Sequence, residues 1–79
     1  MSMALDNDRN RVLTSLRDRS EGIDSAALIV GLSLARNEVE RHLLYCADYG
    51  LATWKRHRDG SGQAAITDRG RDYLIRQGL

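Results

Sequence analysis

The feature that most constrains this chain is residues 51–66, LATWKRHRDGSGQAAI, two short apolar-ended runs around a glycine turn. Such runs read as two strands, with Asp59-Gly60-Ser61-Gly62 supplying the positive-φ positions that a tight or slightly bulged hairpin needs. Lys55, Arg56, His57 and Arg58 stand side by side before the turn, and all four can carry positive charge. A basic hairpin has no core to build. Its charge is more readily understood as a contact for something anionic, with a phosphate backbone the leading candidate.

At 79 residues, the chain allows one small domain, near the lower limit at which a core is stable without metal or disulfide. One cysteine excludes an intramolecular disulfide and fits a reducing compartment. No apolar run is long enough to cross a bilayer and no signal peptide is evident, so a cytoplasmic protein without membrane contact is expected. The net charge is only +1, but it is unevenly spread. Up to Gly31 there are four Arg against five acids; from Leu32 onward there are eight Lys or Arg against six acids. Eleven of the twelve basic residues are Arg, which suits bidentate phosphate or guanine contacts.

The spacing predicts a first helix over 6–19, capped by Asp6 or Asn7, with Val12, Leu13 and Leu16 as a narrow apolar stripe. Residues 1–5 are expected as a flexible tail ahead of a single domain, 6–79. Asp24 reads as the N-cap of a short, greasy second helix over 25–32. A third helix follows over 36–49, its buried seam formed by Val39, Leu43 and Cys46, and closed by a C′ glycine at Gly50. Strands at 51–55 and 63–66 bracket the basic turn, and Thr67 caps a last helix over 68–77 in which Leu74 packs inward. The expected fold is α+β, mainly α: three helices, a two-stranded wing and a short C-terminal helix.

Leu28-Ile-Val-Gly-Leu-Ser-Leu34, then Ala35-Arg-Asn-Glu-Val-Glu-Arg-His-Leu43, then Cys46 and Gly50-Leu51, resemble the helix-turn-helix core of small bacterial winged-helix regulators. The MarR, ArsR and PadR-like groups share a pattern of this kind. Ile66-Thr67-Asp68-Arg69-Gly70-Arg71 is similar to their Thr-x-x-Gly-Arg lead into the helix after the wing. Three positions depart from the pattern. Ser33 stands where Gly usually turns the chain, which would oblige a non-glycine residue to accept αL geometry. Ala35 replaces the usual Ser or Thr cap of the recognition helix, forfeiting about 1 kcal/mol. Ile29 is bulkier than the usual Ala.

The resemblance implies double-stranded DNA as partner and transcription regulation as the role. The first exposed turn of the third helix would enter the major groove with Arg36, Asn37, Glu40 and Arg41, whose chemistry suits guanine, adenine and cytosine edges. Lys55, Arg56, His57 and Arg58 would serve the wing's contact with the backbone, and helix two would offer backbone N–H groups to a phosphate near Ser25. The resemblance also implies a homodimer on palindromic half-sites. The rival reading is a winged-helix protein-interaction module (adaptor, inhibitor or accessory subunit) that does not bind DNA. The near-zero net charge, Glu38 and Glu40 on the recognition helix, and the greasy second helix speak for that rival.

Other residues have plainer readings. His42 and Cys46 lie at i, i+4, but two ligands do not make a tetrahedral metal site, and both match packing positions. Trp54 is expected to anchor the wing against helix three, whereas Tyr45 and Leu44 fall on its solvent side. Val30, at a normally polar position of helix two, could contribute with Leu44 to an apolar contact patch. No paired nucleophile and base and no glycine-rich phosphate loop after a strand are present, so neither catalysis nor a cofactor is expected.

Overall fold

The computed structural model describes residues 3–19 and 21–79. Its elements run α1 (Met3–Arg17), β1 (Ile23–Asp24), α2 (Ser25–Leu32), α3 (Arg36–Asp48), β2 (Ala52–Arg56), β3 (Gly62–Ile66) and α4 (Asp68–Arg76). The fold is a winged helix: α2 and α3 form the helix-turn-helix, β2 and β3 the wing, and α1 and α4 pack together behind them.

α1 begins at Met3, so Asp6 and Asn7 lie inside the helix rather than capping it. Met, Ala and Leu at 3–5 are all strong helix formers, which is reason enough for the earlier start. Of the stretch expected as a tail, residues 1–2 lie outside the described residues. The stripe on α1 behaves as its spacing requires: Val12, Leu13 and Leu16 are fully buried. They meet Leu28 from α2, Val39, Leu43 and Cys46 from α3, and Leu74 from α4 in one core. Each fully buried aliphatic side chain contributes about 1.5–3 kcal/mol relative to exposure.

The sheet has three strands rather than two. β1 pairs antiparallel with β3 through Ile23 opposite Ala64 and Asp24 opposite Gln63, giving the order β1-β3-β2. Two residues cannot display a strand's alternation, which is why this edge is silent in the sequence. Gly22, at φ +101°, swings the chain onto β3. Asp24 then does double duty, because its carboxylate accepts the Ala26 N–H (2.9 Å) as N-cap of α2.

The turn between α2 and α3 shows the two departures noted above. Ser33 takes φ 55°, ψ 38°, the αL geometry expected where glycine is usual. Ala35 caps α3 with no side-chain hydrogen bond. At its other end α3 closes in a Schellman motif: Gly50 N donates to Ala47 O (3.1 Å) and Leu51 N to Cys46 O (2.8 Å), with Gly50 at φ +73°.

The Thr-x-x-Gly lead into α4 is a knot of hydrogen bonds. Thr67 Oγ1 donates to Gly50 O (2.6 Å) and accepts from Gly70 N (3.0 Å), while Thr67 N donates to Leu51 O (3.1 Å). Gly70 is needed for closeness, not for its dihedrals: a Cβ there would stand 2.0 Å from Leu51 O. The last turn of α3 is thereby tied to the first turn of α4 directly behind the wing.

Candidate functional site

The wing is the basic hairpin anticipated from the sequence. β2 and β3 pair from Ala52 opposite Ile66 to Arg56 opposite Gly62, leaving residues 57–61 as the loop. His57 N donates to Ser61 O (2.8 Å) and Gly60 N to His57 O (3.2 Å), with Gly60 at φ +88°. Asp59 braces the loop by accepting from Ser61 N (3.0 Å) and Ser61 Oγ (2.6 Å), and these bonds hold its carboxyl below the usual range. Within the turn only Gly60 uses a positive φ. Gly62 is a buried strand residue whose missing side chain admits Trp54: a Cβ there would lie 2.2 Å from the indole Cη2. Trp54 itself is half-buried against the core, which anchors the wing.

Lys55, Arg56, His57 and Arg58 are all exposed. Arg56 Nε lies 3.7 Å from Glu40 Oε2 on α3. Lys55 and Arg58 have no ion-pair partner among the described residues. Arg36, at the start of α3, donates from Nη2 to Gly60 O (2.9 Å) at the tip of the wing. α3 and the wing are therefore tethered at two points, one near the tip and one on the stem.

The other predicted contact residues fall in different places. Asn37 and Arg41 are exposed one helical step round from Arg36 and Glu40, and Leu44 continues their stripe at 55% exposure. Glu40 is half-buried, and its Oε2 has no hydrogen-bond partner among the described residues. Ser25 is buried, and the N-terminus of α2 beside it already carries the Asp24 carboxylate. Its hydroxyl is thus not presented to a ligand. Sequence reasoning missed the Gly60 carbonyl as a partner of Arg36. The i, i+4 spacing placed Arg36 and Glu40 on one stripe, but nothing in the spacing said that the stripe faces the wing.

Tyr45 differs from its expected solvent-side place. The Arg9 guanidinium sits 3.5 Å above its ring, and the Tyr49 ring lies at a centroid distance of 4.5 Å. These rings, with Tyr73, Arg69 and Arg76, line an open groove of about 440 Å³ between the end of α3 and α4. Tyr73 donates from its hydroxyl to Asn10 Oδ1 (3.3 Å) on α1. His42 and Cys46 are both buried in the core, as their packing positions suggested. Burial, helped by the Arg9 charge, pushes the His42 imidazole below its ordinary value; burial pushes the Cys46 thiol up to about 11. No group of three His, Cys, Asp or Glu residues able to hold a metal ion occurs among the described residues. Among the same residues, no helix is long and apolar enough to cross a membrane.

No family model matches the chain, and no curated protein matches it by sequence. Solved structures do match its fold. A candidate DNA-binding protein from Ralstonia eutropha JMP134 superposes with a TM-score of 0.79 at 21% identity, covering 90% of this chain and 94% of its own. RV1404 from Mycobacterium tuberculosis gives 0.72 at 27% identity, with 89% of this chain covered. Wild-type MarR from E. coli in its apo form gives 0.73 at 18% identity, with 86% covered. This chain spans about half the length of the latter two, 48% and 51% respectively.

Proposed function

We propose that this protein binds double-stranded DNA as a small winged-helix transcriptional regulator. The first turns of α3 enter the major groove, and Lys55, Arg56, His57 and Arg58 lie along the backbone. The observation that carries the reading is the juxtaposition of an exposed, uncapped polar stripe on α3 with wing cations that have no acidic partner among the described residues, Lys55 and Arg58. The fold is shared with a candidate DNA-binding protein and with MarR, which supports the same reading. Net charge is only +1, so binding depends on where the cations sit rather than on their sum.

A salt titration on random duplex DNA tests it. Binding in the micromolar range is expected, with log affinity falling against log salt at a slope of roughly −3 if three wing cations each neutralise a phosphate. No detectable binding at low salt would sink this reading. The second reading, a protein-interaction module, is favoured by two exposed aliphatics, Val30 at 80% and Ile75 at 72% exposure. It gains ground only if duplex binding is absent.

A further inference from the structure

We propose that α3 divides its work between two faces: Arg36 and Glu40 position the wing, whereas Asn37, Arg41 and Leu44 contact the bases. The inference rests on the DNA-binding reading and assigns roles within that interface. Residues four apart on a helix are neighbours on one stripe, and the next stripe is turned by about 100°. Arg36 and Glu40 share the first stripe, and both reach the wing: one through Nη2 to Gly60 O at 2.9 Å, the other through Oε2 to Arg56 Nε at 3.7 Å.

Those engagements commit both side chains to the wing. The Gly60 bond uses one of the five N–H donors of Arg36 and holds its guanidinium at the tip of the wing. Swinging that guanidinium away from the wing to lie along a base edge would cost the bond and release the tip. Glu40 has a buried Oε2, out of reach of a base amine, and its charge is turned toward the Arg56 guanidinium instead of toward phosphates. Asn37, Arg41 and Leu44 occupy the adjoining stripe, and all three are exposed. Their chemistry suits an adenine edge, a guanine edge and a thymine methyl respectively. Arg41 has no ion-pair partner among the described residues. With the wing held by Arg36 and stiffened by Trp54 against Gly62, the offset between reading stripe and backbone cations is set before DNA arrives, which lowers the ordering cost of binding.

Selection from a random duplex library separates the two faces. Asn37→Ala and Arg41→Ala are each expected to flatten the preference at one base pair, by roughly tenfold for a lost bidentate contact. Arg36→Ala is expected to keep the parent's preferred sequence while weakening binding to all sequences alike. Arg36→Lys, which can still donate to Gly60 but cannot grip guanine bidentately, should restore the parental affinity. Loss of preference at a single base pair in Arg36→Lys would make Arg36 a reader and overturn the assignment. A second measurement needs no DNA. In Arg36→Ala the backbone order parameters of residues 57–61 should fall from about 0.85 toward 0.6, and unchanged values would overturn the positioning role. A parent that binds no duplex defeats the DNA-binding reading, while the relaxation measurement still decides what Arg36 does to the wing.

Discussion

Trp54 lies over Gly62 across the β2–β3 pair so closely that a methyl group at Gly62 would stand 2.2 Å from the indole Cη2 and 2.9 Å from the Lys55 carbonyl. Neither neighbour is the free end of a flexible chain, so Gly62→Ala must displace the indole or part the strands. A loss of about 1–3 kcal/mol is expected in denaturant unfolding, the range for overpacking a tight site. Wing amides should exchange faster in the same variant.

Gly31 is the opposite case. It lies on the exposed side of α2, has ordinary helical dihedrals, and nothing stands within 4 Å of a Cβ added there. Gly31→Ala should therefore raise stability by about 0.5–1 kcal/mol, through the lower entropy of the unfolded chain. An unchanged or lowered melting temperature would count against this account of α2.

Thr67 ties α3 to α4 through both functions of its hydroxyl. Thr67→Val preserves shape and removes both bonds, leaving the part-buried Gly50 carbonyl without its 2.6 Å donor. The cost should be about 1–3 kcal/mol, and thermal unfolding would register it as a drop of several degrees. Thr67→Ser, which keeps the hydroxyl, should recover most of the loss.

His42 links stability to pH. Its folded value is lowered by burial first and by the Arg9 charge second, so the unfolded chain takes up the proton more readily than the folded one. Stability from this site is complete above the unfolded value of about 6.5 and is lost as the pH falls toward the lower folded value. The melting temperature should decline on going from pH 7.5 to 5, and His42→Leu should flatten that decline. An identical pH profile in the variant would refute the linkage.

Cys46 is fully buried, with its thiol pushed up to about 11. A disulfide reagent at pH 8 should leave it unmodified in the folded protein and modify it promptly in denaturant. Rapid labelling of the native protein would mean that the seam of α3 opens far more often than its packing implies.

Much of the fold was readable because its signals are local. The seam of α3, the Asp24 and Thr67 caps, the Schellman glycine at Gly50 and the αL turn at Ser33 each depend on residues within about one helical turn. The basic loop was readable for the same reason. The candidate site was only half visible. Residue types placed Arg36, Asn37, Glu40 and Arg41 together on one helix, yet their division into wing-facing and solvent-facing stripes depends on where the hairpin docks. The start of α1 was also misjudged, since Asp6 looks like a cap when the helix formers before it are discounted.

The sequence by itself determined the order of elements, the termini of α2, α3 and α4 to within a residue or two, and the concentration of charge on one hairpin. Periodicity, capping chemistry and glycine dihedrals act over a few residues and need no knowledge of the whole. Tertiary structure decided the third strand, the reason for Gly62, the stacking of Arg9 over half-buried Tyr45, and the hold of Arg36 on Gly60, 24 residues away. Those pairings are made by packing one element against another. A side chain's partner across such a gap is set by the distance and angle between elements, which no local pattern encodes.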